Sequence, residues 1–376
     1  MKVVIVGAGI GGLATALGLA SAGHQVEVYE RGEQLRTEGN GVILWPGATG
    51  VLGQLGLDTA KLGRSMHRGE LLTSSGALIV FTDMKKVSET YGEDTILVPR
   101  GRVVQRLAEE LEEGAVRFGK QCTDVRQRGH EAVVTFSDGT EAAADVVIGA
   151  DGYRSVVRAS LFGDTAKLTG VATWHGVTDI RSDLIDGNTV RTFFGSIGIC
   201  AIHPVGGGLL HWAFEGPWHE GDDGPQLPRL REWFGGWAPE VIALLDSVAE
   251  EDIHLFPHAL HKIPRWWGRG PITLLGDAAH AIPPRAGMGA NQALEDAWVL
   301  TDVLAKGGDP TQSLRAYETA RVKRVRRVRT SAAWMSRSNN MLRMLRAVRV
   351  ALPMDKLAHA SVRSGSNFLN GHRATV

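Results

Sequence analysis

The chain has 376 residues, with 41 Lys plus Arg against 41 Asp plus Glu, and so no formal net charge. That length suits two interleaved domains, and the charge balance gives no electrostatic reason to expect nucleic acid as a partner. Two cysteines, Cys122 and Cys200, are too few for a disulfide framework and point to a reducing, cytoplasmic setting; no apolar run approaches the about 20 residues of a membrane-spanning helix.

The first strand is expected at Lys2-Val3-Val4-Ile5-Val6, a β-branched run that begins too early to leave room for a leader peptide. Gly7-Ala8-Gly9-Ile10-Gly11-Gly12 follows, then a helical pattern through Leu13, Ala16, Leu17 and Ala20, then a second strand, Val26 to Tyr29, ending on Glu30. Strand, tight glycine turn, helix, strand and acid form the dinucleotide-binding βαβ unit. Gly7 permits the turn, Gly9 lets a pyrophosphate approach the backbone, and Gly12 lets the helix pack against the strand. Glu30 can accept from both ribose hydroxyls, and its charge disfavours a 2′-phosphate.

Further along, Gly47 to Leu57 reads as helical, Gly69 to Phe81 as a strand-like insert, and Arg100 to Glu113 as an amphipathic helix. Val133 to Asp138, turning at Asp138-Gly139, reads as a hairpin. Asp145 to Gly152 is an apolar strand ending in Asp151-Gly152, with Ser155 and Arg158 after it. Between residues 169 and 260, short alternating runs predict an antiparallel sheet: Gly170 to Asp179, Val190 to Phe194, Gly198 to Pro204 and Leu209 to Phe214. A helical excursion, Pro228 to Ser247, interrupts it. Ile272 to Leu275 is another strand, ending in Gly276-Asp277. It leads through Pro283-Pro284-Arg285-Ala286-Gly287-Met288-Gly289-Ala290-Asn291 into a helix, Gln292 to Leu304. The remainder is helical, broken near Gly307-Gly308 and Pro353. In Arg321 to Arg329, Val322, Val325 and Val328 form a narrow stripe among basic residues. A membrane-surface helix has this pattern, but the small apolar face favours packing by the valine edge on the first domain.

Three strand ends bearing Glu30, Asp151 and Asp277 define one crevice at the carboxyl edge of a parallel sheet. Asp277 can accept from a flexible polyol, and the amides of Gly287, Met288 and Gly289 can hold an anionic ring oxygen. This chemistry suits the ribityl chain and pyrimidine edge of a flavin. The three motifs, in this order, resemble those of the single-component FAD-dependent aromatic monooxygenases of the p-hydroxybenzoate hydroxylase type, over about 330 residues from Met1 to the region of Arg329. The resemblance implies an α/β fold. Its Rossmann-like FAD-binding domain would comprise residues 1–70, 96–168 and 269–332. An interleaved antiparallel-sheet substrate domain would comprise residues 71–95 and 169–268, followed by C-terminal helices in 333–376.

The resemblance also implies non-covalent FAD held by Gly9, Gly12, Glu30, Arg31, Arg36, Arg100, Asp151, Arg158, Asp277, Pro284, Gly287, Met288, Gly289, Ala290 and Asn291. Arg158 is further expected to reach the pyridine nucleotide. Met288 stands where many relatives have Gln beside the isoalloxazine, and Gly47 stands where many have Asn. NAD(P)H, lacking a βαβ unit of its own, would be a transient co-substrate. O2 would react through a flavin C4a-hydroperoxide to hydroxylate a small aromatic or other electron-rich molecule. The enzyme would act as a monomer or homodimer, without a metal: no HExxH and no Cys/His cluster occurs.

On the second domain, His175 is the candidate proton donor, and Trp174, His203 and Trp212 are candidate substrate contacts, with His211 beside them. The plainer reading of each is an ordinary core or sheet residue. An epoxidase or reductase of the same superfamily is the nearest alternative. A non-catalytic flavin-binding protein is the alternative from another class, and Arg158 counts against it.

Overall fold

The computed structural model describes residues 1–335 except 38, 180–183, 185 and 223. Lys2–Val6 is the centre of a five-stranded parallel sheet, paired with Gln25–Tyr29 on one side and Val146–Gly149 on the other. Ile272–Leu274 and Val116–Arg117 complete its edges. Val3, Val4 and Ile5 are wholly buried, as a strand covered on both faces requires. The chain leaves the central strand towards one neighbour first and reaches the other much later. That reversal opens the crevice at the carboxyl ends, where the three acidic strand ends meet. The turn into the Ile10–Ser21 helix tolerates no side chain: Gly7 has φ of +107°, and a Cβ on Gly12 would lie 2.1 Å from the Gly7 carbonyl oxygen.

A second sheet has seven strands, in the order His254–Leu260, Lys167–Thr178, Leu209–Pro217, Ile199–Gly206, Thr189–Phe194, Arg68–Thr73 and Leu78–Asp83. The insert after the first block thus joins this sheet. It does so through one parallel pair, Arg68–Thr73 with Thr189–Phe194, so the sheet is mixed rather than purely antiparallel. The excursion expected over Pro228 to Ser247 forms two helices, Gln226–Phe234 and Pro239–Ser247.

These helices cover one face of the sheet. Trp174, Trp212, Phe193 and Phe214 pack there against Leu230, Phe234 and Leu244, all with no exposed surface. Each such large apolar side chain contributes about 1.5–3 kcal/mol by leaving water. Strand alternation places His175, His203, His211, Ala213 and Glu215 on the other face, towards the first domain.

Two long helices close the molecule, Gly289–Ala305 and Pro310–Met335. Val322, Val325 and Val328 are buried against the body, as the valine-edge reading expects. Arg321 belongs to the buried side as well: it pairs with Glu295 and Asp296 at 2.7 Å each. Asp296 also accepts from the Gly276 amide at 2.9 Å and bonds His280 Nε2 at 2.6 Å, tying both helices to the Gly276-Asp277 turn. Among the described residues no helix is long and apolar enough to cross a membrane. The break expected at Pro353, and the C-terminal segment from residue 336 onward, lie outside the described residues.

Candidate active site

The crevice starts at the first glycine turn. The Ile10–Ser21 helix begins at Gly9 with no side-chain cap, which leaves its positive end for an anion. The Glu30 carboxylate accepts the Ala8 amide at 2.9 Å with one oxygen and the Gly32 amide at 3.0 Å with the other. Arg100 lies over this turn, where a Cβ on Gly9 would sit 3.8 Å from its Nη2, and its Nη1 donates to the Arg36 carbonyl at 3.3 Å. Desolvation and the neighbouring Arg36 lower the Arg100 pKa, against the opposing charges of Asp277 and Glu30. Gly9, Glu30, Arg100 and Asp277 therefore converge, Gly12 packs the helix against the Gly7 turn beneath them, and the Arg31 and Arg36 side chains are both exposed to solvent.

The far end is built by the Gly276-Asp277 turn and the helix after it. Desolvation raises the Asp277 pKa, opposed by His280 and Arg100. A Cβ on Gly289 would be 3.8 Å from Asp277 Oδ1, so the carboxylate lies beside the start of the Gly289–Ala305 helix. That helix too has no side-chain cap, and Gly287 before it is left-handed, with φ of +57°. The backbone of Gly287, Gly289 and Ala290 thus lines the crevice, beside the exposed Pro284. Two uncapped helix starts, with carboxylates at both strand ends, fit the phosphates, the polyol and the anionic ring edge of FAD.

Three residues expected at the cofactor have side chains spent on protein. The Asp151 carboxylate accepts Ser155 Oγ at 2.6 Å and the amides of Val156 and Val157 at 2.7 and 3.2 Å, so it caps the Val156–Phe162 helix. Arg158 is 1% exposed and gives all five of its N–H groups to protein: two to Asp164, the others to the carbonyls of Ala278, Ala279 and Lys262. No donor remains for FAD or a pyridine nucleotide. Asn291 is a clasp, accepting the Trp45 amide at 2.8 Å and donating to the Ile43 and Gly287 carbonyls at 2.8 and 2.6 Å. The Met288 side chain is buried in a cluster with Ile282, Val328 and Trp45, and its backbone stands at the start of the Gly289–Ala305 helix.

The second sheet presents a row of imidazoles to the first domain. His175 and His211 have ring centroids 6.2 Å apart, His203 and His211 5.6 Å, and His175 and His254 6.0 Å. The 39–41 loop lies on this row: a Cβ on Gly41 would be 2.7 Å from His211, which explains glycine there. Burial pushes His175 and His203 down to about 4 and His211 well below its usual value, so all three are neutral at pH 7. For His175, neighbouring His254 adds to the effect and a backbone hydrogen bond with Gly39 opposes it.

Trp174 and Trp212 do not join them. Both point to the helix-covered face, where Trp174 Nε1 donates to Gln226 Oε1 at 2.6 Å and Trp212 Nε1 to Thr178 Oγ1 at 3.3 Å. They are core, and the substrate role expected for them does not stand.

Two pairs were missed by the sequence reading. Arg285 Nε donates to Glu215 Oε1 at 2.5 Å, joining the two domains with side chains only 7% and 3% exposed. Desolvation raises the Glu215 pKa and Arg285 opposes it. His258 Nε2 bonds Thr173 Oγ1 at 2.7 Å. Glu215 was within reach of the alternation that placed His211, four residues before it; Arg285 had no local signal. Glu215 and His258 border a cleft of about 640 Å³, which Pro283 and Arg329 also line.

A family model described as FAD binding domain matches residues 1–332. The chain is 34% identical to a 3-amino-4-hydroxybenzoate 2-monooxygenase of Streptomyces platensis, covering 87% of this chain and 85% of that protein. It is 32% identical to an FAD-dependent urate hydroxylase of Klebsiella oxytoca, covering 87% of each. Among solved structures, Klebsiella pneumoniae HpxO in complex with FAD and uric acid superposes with a TM-score of 0.89 at 26% identity, covering 97% of this chain and 96% of that one.

Proposed function

The chain belongs to the FAD binding domain family, and on that premise we propose that it is an FAD-dependent monooxygenase that uses NAD(P)H and O2 to hydroxylate a small aromatic compound. One observation carries the reading: the crevice of Glu30, Arg100 and Asp277, between two uncapped helix starts, opens opposite the imidazole face of the second sheet. FAD there supplies acceptance of hydride from NAD(P)H and activation of oxygen. The relatives' names carry hydroxylation of an aromatic or heterocyclic ring into the proposal. A cytoplasmic location accords with the two free, buried thiols, Cys122 and Cys200.

The chain's own groups bind, shield and move protons. Glu30 holds the ribose, the Gly287–Ala290 backbone the ring edge, and Asp277 the polyol. The apolar walls and the 39–41 loop exclude water. His175 is the proton carrier: Gly39 holds the ring through the backbone, and Nδ1 is buried without a partner, free to accept a phenolic proton or to return one.

The test is an oxygen-electrode assay with NAD(P)H and a panel of phenols. Uptake should require NAD(P)H and rise with the right ring. His175→Ala should keep FAD and melting temperature while releasing more hydrogen peroxide per NAD(P)H consumed. A lower melting temperature with normal coupling would make His175 structural.

A further inference from the structure

The face of the second sheet that looks at the crevice carries two small side chains among larger ones. Ala201 and Ala213 are direct cross-strand partners at its centre, and their side chains end at Cβ. Larger groups surround them on the same face. His175 pairs with Ala213 from the next strand. His203 and His211 pair with each other two residues along. Glu215, bound to Arg285, stands two residues the other way. The alanine pair therefore has two imidazoles at one end, a third beside it on the next strand and an ion pair at the other end.

Three polar atoms around it are unspent. Nδ1 of His175, of His203 and of His211 is buried without a hydrogen-bond partner. One such atom is unfavourable by itself. Three on neighbouring rings, bordering two alanines, form an incomplete array that a ligand completes. The array carries hydrogen-bonding capacity and no charge: burial keeps the imidazoles neutral, and the Arg285 guanidinium is already engaged by Glu215. An anionic substituent would be desolvated here without a cation to receive it.

We propose that Ala201 and Ala213 are the floor on which the substrate ring lies. Its hydroxyl-bearing edge bonds to the imidazoles of His203 and His211, and the substrate is an uncharged phenol rather than a ring carboxylate. This rests on the monooxygenase reading above and adds the substrate's class and orientation.

The test needs no turnover. The FAD-loaded enzyme, without NAD(P)H, is titrated with 3-hydroxybenzamide and with 3-hydroxybenzoate, and the absorbance of the bound flavin is followed. The amide should bind at least about tenfold more tightly than the carboxylate. Ala213→Leu, which fills the floor, should weaken amide binding at least about tenfold while FAD content stays unchanged. If that variant does not fold, His211→Leu should weaken the amide by about tenfold, and His211→Asn, which restores a hydrogen-bonding group, should recover part of it. Equal or tighter binding of the carboxylate, no response to either probe, or full affinity in folded Ala213→Leu or His211→Leu overturns the proposal and leaves the monooxygenase reading in place. Wild-type protein that cannot be loaded with FAD overturns the reading beneath it instead.

Discussion

Glu30 shapes the glycine turn by accepting the Ala8 and Gly32 amides, and the same carboxylate is aimed at a ribose. Glu30→Ala should therefore weaken FAD by roughly tenfold or more and also lower the melting temperature of the FAD-free protein. A flavin titration and a melt on one preparation check both, and unchanged FAD affinity would remove Glu30 from the ribose site. The buried histidines give a pH signature with a definite sign. His175 and His203 are pushed to about 4, below the ordinary 6.5 of a histidine. Between those values the unfolded chain takes up protons that the folded chain refuses, so stability falls as pH drops through that window and is untouched above it. His203→Asn removes one such group. Its melting temperature relative to wild type should rise as the pH is lowered from 7 towards 4. A difference constant across that range would mean that His203 keeps an ordinary pKa in the fold.

Elements are held to one another by polar clamps whose partners are far apart in sequence. Arg158 joins the Val156–Phe162 helix to the Asp277–His280 turn and to Lys262. Arg158→Met should cost about 3–5 kcal/mol, because it strands buried carbonyls. Soluble variant should keep a normal KM for the nicotinamide; a raised KM without a stability loss would return Arg158 to the cofactors. This clamp also means that Arg158 no longer counts against a flavin-binding protein without catalysis, so that argument now rests on the imidazole face. The glycine turn and Glu30 were legible because their chemistry is local, contained within about one supersecondary unit. Arg158 and Asn291 were not: their partners lie up to 121 and 248 residues away, and a motif does not say whether a side chain faces ligand or protein. Alternation showed that Trp212 and Phe214 share a face. Which face looks at the crevice was decided by the helices Gln226–Phe234 and Pro239–Ser247, and that put Trp174 and Trp212 in the core. The valine stripe of the last helix was readable, whereas the buried pairing of Arg321 with Glu295 and Asp296 required the tertiary structure.

At the scale of the molecule, the two sheets divide the work. The parallel sheet presents its carboxyl edge, and with it the cofactor crevice, to one face of the mixed sheet. The other face of the mixed sheet is spent on its own core. A cleft of about 640 Å³ is lined by Glu215 and His258 of the mixed sheet together with Pro283 and Arg329. The proposed reaction requires water to be kept from the reacting groups and an entrance for small molecules. The central claim is that oxygen from O2 enters the product. The direct measurement is mass spectrometry of the product formed with 18O2, NAD(P)H and an aromatic substrate that stimulates oxygen uptake. The account predicts one labelled oxygen atom per product molecule and no product without oxygen. A product formed anaerobically, or one whose added oxygen comes from water, would contradict it.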